Sequence, residues 1–90
     1  MKNEKVEQFR HVAEELSVMY EKKNADYGDS FSKTYQELGI ISAITRISDK
    51  TNRLKYLATK GTTANYENIN DTLKDMASYC IMTLMELENI

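Results

Sequence analysis

The chain has 90 residues, with 12 Lys and Arg against 14 Asp and Glu and a formal charge of -2 at pH 7; this gives no global field for nucleic acid, and no Lys/Arg-rich run supplies a local one. No apolar run reaches the ~18 residues that would read as a membrane span, and the N-terminal MKNEKVEQFR lacks the apolar centre of a signal peptide, so a cytoplasmic protein with neither duplex nucleic acid nor membrane as partner is expected. A chain this short makes one domain at most, here taken as residues 1–90, and buries only about 60–65% of the surface its unfolded form exposes, a deficit that oligomerisation often relieves.

There is no proline, and Gly28, Gly39 and Gly61 fall between periodic segments, where they act as punctuation. The pattern predicts an all-α fold of three main helices and a short helical turn. The first helix is expected from about Asn3 to Lys23, because Val6, Phe9, Ala13, Leu16 and Tyr20 recur at steps of three and four. His11, the sole histidine, reads as a surface or helix-packing residue, and the adjacent Glu14 and Glu15 as mostly solvated acids.

In KKNADYGDSF, Lys22 to Phe31, the turn formers Asn24, Asp26, Gly28 and Asp29 predict that the helix gives way to a structured loop. Lys22, Lys23 and Asn24 would there meet phosphate or base while Tyr27 stacks. The competing reading is a C-cap, with lysines in the last turn offsetting the helix dipole and Gly28 at positive φ. A short turn of helix follows over Ser30 to Leu38 and is stopped by Gly39.

The second main helix is expected over Ile40 to Lys60, its core side formed by Ile40, Ala43, Ile44, Ile47, Leu54 and Ala58. Arg46, Asp49, Arg53 and Tyr56 occupy the other side. Asp49 has Arg46 three residues before it and Arg53 four after, which predicts ion pairs within the helix. Gly61, Thr62 and Thr63 close this helix, and Asn65 is placed to cap the next.

The last helix, Tyr66 to Leu87, carries Glu67, Asp71 and Asp75 at i, i+4 and i+8. At roughly 100° per residue these acids share one edge, while Ile69, Leu73, Met76, Cys80, Leu84 and Leu87 gather opposite. Cys80, the only cysteine, can form no internal disulfide and is expected as a buried thiol among those aliphatics. Like charges one turn apart destabilise an isolated helix by roughly 0.2–0.5 kcal/mol per pair, so the three acids are either a solvated face or meet a positive partner. That partner would be Lys or Arg from another helix, or Mg²⁺, which suits carboxylate oxygens and leaves positions for water and phosphate. Ser78, Met82 and Met85 continue the acidic edge as small or apolar residues. A helix apolar on both sides is covered on both, so this edge is expected to wall a cleft or a subunit interface.

KKNADYG (Lys22 to Gly28), ISAITRISDKTNRL (Ile41 to Leu54) and the final ENINDTLKDMASYCIMTLMEL together resemble the nucleotide modification associated domain 1 family, small proteins of phages and bacteria, over about residues 10 to 88. The resemblance implies action on nucleotides. A more distant likeness is to the all-α nucleoside triphosphate pyrophosphatases, MazG-like and dimeric dUTPase-like, whose last conserved helix carries an acid, three residues, an Asp and an apolar run. Asp71, Asp75 and MASYCIM match that pattern. The Glu-Glu-x-x-Glu cluster which those enzymes carry on the preceding helix is missing, and Asp49 stands alone beside Lys50 and Arg53.

Three readings follow. In the first, an Mg²⁺-dependent pyrophosphohydrolase splits a nucleoside triphosphate. Glu67, Asp71 and Asp75, with Asp49, would hold the metal. Asp49, Lys50 and Arg53 would line the catalytic centre, the two cations joining Lys23 against developing phosphoryl charge, and Lys22, Lys23, Asn24, Tyr27 and Arg46 would bind the substrate. In the second, the same scaffold binds or sequesters a nucleotide without hydrolysis, its basic residues gripping phosphate directly. In the third, a helical oligomerisation module pairs Arg46, Lys50 and Arg53 with Glu67, Asp71 and Asp75 across subunits. All three expect a homo-oligomer, a dimer or tetramer, whose pairing completes the bundle through a second stripe at Tyr56, Met82 and Met85.

Overall fold

The computed structural model describes residues 3–59 and 64–89, except for the side chains of Tyr27, Ala64, Asn65 and Tyr66. Among the described residues there are four helices and no strand: α1 (Glu4–Tyr27), α2 (Ser30–Leu38), α3 (Ile40–Ala58) and α4 (Ala64–Glu88). The all-α expectation therefore holds. The chain divides into two compact units, Met1–Ser30 and Phe31–Ile90.

The first unit is built on α1. Asn3 caps it, its side-chain oxygen accepting from the backbone N–H groups of Lys5 at 3.1 Å and Val6 at 3.3 Å, which satisfies two donors that an uncapped helix leaves open. Glu4 and Glu7 lie in the first turn, where the positive end of the dipole favours them. At its other end α1 runs past the expected stop at Lys23 and takes in Asn24, Ala25, Asp26 and Tyr27. Turn propensity in Asn24 and Asp26 is a matter of tenths of a kcal/mol, too little to break a helix already capped and propagating. Gly28 ends it, in the left-handed conformation at φ 59° and ψ 37°, as the C-cap reading requires. Lys22 and Lys23 consequently sit a turn before the end, and the last turn holds no basic residue. His11 is an exposed residue whose Nε2 lies 2.9 Å from Glu15 Oε1.

In the second unit α2 occupies the expected span and passes into α3 at Gly39. Gly39 has φ 76° and ψ -166°, a combination open in practice to glycine alone. Its N–H donates to the Tyr35 carbonyl at 2.7 Å, and its own carbonyl accepts from the Ser42 N–H and hydroxyl. The joint between the two helices is thus hydrogen-bonded on both sides.

Helices α3 and α4 pack together as an antiparallel pair, since rising positions on α3 meet falling positions on α4: Arg46 meets Tyr79, and Lys50 meets Asp75. The seam holds Ala43, fully buried, and Leu57, with Ile47 and Leu54 half-buried. On α4 it holds Thr72, Met76, Tyr79, Thr83 and Glu86. Thr51, Thr72 and Thr83 each donate to the carbonyl four residues earlier, so their hydroxyls lie in the join without unsatisfied polar atoms.

Several expected core residues lie outside this seam. Ile40 and Ile44 are exposed, and so is Ala58. On α4 Leu73, Leu84, Leu87 and Cys80 are exposed as well, which corrects the reading of Cys80 as a buried thiol. The sequence pattern placed these residues together correctly, but α3 and α4 meet one helical step to the side, along the row of threonines and Tyr79. The end of α3 falls at Ala58 with Thr59 as cap, and the closing role given to Gly61, Thr62 and Thr63 lies outside the described residues. Because α4 begins at Ala64, Asn65 is inside its first turn rather than before it.

Candidate functional site

The charged residues singled out in α3 and α4 come together along one side of the pair. Arg46, Lys50 and Arg53 stand at i, i+4 and i+7, so at ~1.5 Å per residue they form a cationic edge about 10 Å long. Lys50 Nζ donates to Asp75 Oδ2 at 3.3 Å, both side chains being about three-quarters covered, at 26% and 29% exposed. This is the positive partner that the acidic spacing asked for, supplied from within the chain. A pair so placed contributes on the order of 1 kcal/mol.

The other two acids behave differently. Asp71 and Glu67 are exposed and pair with no described residue. Asp49 is also exposed and forms neither of the expected ion pairs with Arg46 and Arg53. Arg46 is engaged elsewhere, its guanidinium over the Tyr79 ring, 5.8 Å from its centroid, within cation–π range. Arg53 pairs with no described acid and is exposed.

Tyr79 is the residue around which this edge is built, and its helical position alone did not single it out. One contact is the Arg46 guanidinium; another is the Phe31 ring of α2, stacked at 5.9 Å between centroids and 18° between planes. Nearby, Gln36 of α2 donates from Nε2 to Glu86 Oε2 at 3.3 Å, anchoring a buried carboxylate. Phe31 and Glu86 stand 48 and 7 residues from Tyr79 in the sequence, and no spacing rule joins an aromatic on a short helix to one so far along the chain. The Ser78 hydroxyl, one residue from Tyr79, is buried with no hydrogen-bond partner among the described residues.

Among the described residues no group of three or more His, Cys, Asp or Glu is arranged to hold a metal ion. The acids do not fit a preformed metal cage, because Asp75 is engaged by Lys50 and Glu67 and Asp71 face solvent. Lys22, Lys23 and Asn24 belong to the first unit, on α1, with both lysines exposed and Asn24 half-buried; the Tyr27 side chain lies outside the described residues.

The model of the nucleotide modification associated domain 1 family matches residues 23–87, which takes in every residue of this edge. The chain belongs to that family. No curated protein and no solved structure matches it. The family match spans the end of α1, all of α2 and α3 and almost all of α4. No helix among the described residues is long and apolar enough to cross a membrane.

Proposed function

We propose that this protein binds a nucleotide through its phosphates along the α3–α4 edge, and that its working form is a homo-oligomer. The observation that supports the nucleotide reading is the cationic edge itself. Arg46, Lys50 and Arg53 are spaced along one side of α3, and Arg53 is left with no described acid to neutralise it. Guanidinium and ammonium donors in a row match a chain of phosphate oxygens, and charge-assisted contacts of this kind are the strong ones. Lys50, already oriented by Asp75, and the freely exposed Arg53 would grip phosphate. Arg46 would either keep its place on Tyr79 or turn outward to a phosphate. Membership of a family described as nucleotide modification associated agrees with this reading.

Calorimetric titration with the common nucleoside and deoxynucleoside triphosphates, in EDTA, is the test. Binding that persists in the chelator and weakens about tenfold in Arg53→Ala, as loss of one charge-assisted contact implies, is the expected result. Failure to bind any of them with or without Mg²⁺ would end the proposal.

A second reading, Mg²⁺-dependent hydrolysis of a nucleoside triphosphate to monophosphate and pyrophosphate, draws on Asp71 and Asp75, two carboxylates one turn apart beside the cationic edge. Mg²⁺ commonly takes only one or two protein carboxylates and completes its shell with water and substrate phosphate. Release of pyrophosphate that Asp75→Ala and Asp71→Ala abolish would favour this reading over simple binding; turnover unchanged in both variants would remove it.

A further inference from the structure

The cationic edge of α3 ends on an aromatic surface that gripping phosphate leaves without a task. Tyr79 of α4 is half-buried and stacked on Phe31 of α2, 5.9 Å between centroids and 18° between planes. The Arg46 guanidinium lies over the same ring, 5.8 Å from its centroid, and Arg46 is itself exposed. Whatever part of the ring that guanidinium covers is therefore opened to solvent when the side chain swings away. Among the described residues no acid holds Arg46 in place.

Magnitudes decide which group the ring prefers. A guanidinium over an aromatic ring at an exposed site is worth about two- to fivefold in an equilibrium constant. A nucleobase stacked on such a ring is worth about five- to 150-fold, so a base takes the face from Arg46. Nor is the displaced guanidinium left idle, because its planar fork of donors matches phosphate oxygens. The ring needs little ordering before it can serve, since the Phe31 stack and the α3–α4 seam already hold it, and a group ordered in advance loses less on binding.

We infer that Tyr79, backed by Phe31, is the platform on which the base of the nucleotide stacks, and that Arg46 occupies it until the base arrives and then turns to the phosphate nearest the sugar. This rests on the phosphate-binding reading above and gives the ligand a direction. Its base lies at the Tyr79 level of the pair, and its phosphates run along α3 past Lys50 to Arg53, about 10 Å from the Arg46 position. Every base has a flat face, so the platform accepts purines and pyrimidines alike.

Calorimetric titration of the full chain in EDTA, with inorganic tripolyphosphate and with the common nucleoside triphosphates, separates the base from the phosphates. The nucleoside triphosphates are expected to bind at least about fivefold tighter than tripolyphosphate. Tyr79→Leu should bring their affinity down to that of tripolyphosphate, Tyr79→Phe should keep the excess, and Arg46→Ala, which uncovers the ring, should keep or enlarge it. Because Tyr79→Leu can also loosen the fold, the unaltered protein carries a second readout: base protons should give nuclear Overhauser contacts to the Tyr79 ring protons. Tripolyphosphate binding as tightly as the nucleoside triphosphates overturns the inference and leaves the phosphate reading standing. An excess that survives in Tyr79→Leu or is lost in Arg46→Ala, or bound base protons that show no contact to Tyr79, overturns it as well. Failure of both kinds of ligand to bind sinks the two readings together.

Discussion

The two sides of the α3–α4 pair are made from the same two helices and do opposite things with their side chains. On the charged side nearly every contact is specific: Lys50 holds Asp75, Arg46 covers Tyr79, Phe31 stacks on Tyr79 and Gln36 holds Glu86. On the other side Ile44 and Leu84, at 47% and 60% exposed, lie in the open. A surface of directional contacts defines a geometry, and a surface of uncovered aliphatics defines a need. The comparison teaches that apolar residues mark the join between helices only when another layer of the same chain is available to cover them.

If the charged side is organised by Tyr79, removing that ring should hurt the fold most. Tyr79→Ala is expected to destabilise the chain by about 3 kcal/mol, near the lower end for a large aromatic because the ring is half-buried. Tyr79→Phe, which keeps both ring contacts, should lie within about 1 kcal/mol of the parent, since volume-conserving swaps usually do. Equal losses in the two variants, measured by urea unfolding, would show that the phenol oxygen and not the stack matters.

Next in size is the joint that sets the direction of α2. Gly39→Ala meets no atom within 4 Å of its new Cβ, so any effect must come from the backbone angle. A loss of about 1–3 kcal/mol is expected, and an unchanged melting temperature would show that the joint relaxes freely.

A smaller effect sharpens the contrast between holding the fold and binding a ligand. Arg53→Ala should leave stability within about 0.5 kcal/mol, as surface changes do, yet lower nucleotide affinity about tenfold, or about 1.4 kcal/mol. Circular dichroism melts set beside the calorimetric titration decide this. The smallest expected effect is of opposite sign: Ser78→Ala removes a buried hydroxyl without a described partner and should stabilise the chain by up to about 1 kcal/mol. A destabilised Ser78→Ala would mean that the hydroxyl has a partner after all.

Much of the helical layout was legible along the chain. Gly28 and Gly39 sit at the helix ends expected of them, α2 spans Ser30–Leu38, and α4 covers the segment with the spaced acids. These features depend on neighbours within a few residues, and the physics that sets them acts over that range. Of the acidic edge, the sequence correctly asked for a cation and proposed Lys50 among the donors; it could not say that Asp75 would receive one while Glu67 and Asp71 meet none among the described residues. Which carboxylate Lys50 meets depends on the register of α3 against α4, and register is a property of the packed pair.

The sequence by itself determined the helices, the glycines between them, the gathering of acids and aliphatics on separate edges of α4, and membership of a nucleotide-associated family. Only the tertiary structure decided which edge of each helix became the seam. Thr51, Thr72, Thr83 and Tyr79 took the inside because their polar atoms are satisfied locally or stacked, and Ile44, Leu73 and Leu84 were left facing out. Periodicity records that a side chain is apolar, and burial depends on whether another surface arrives to cover it.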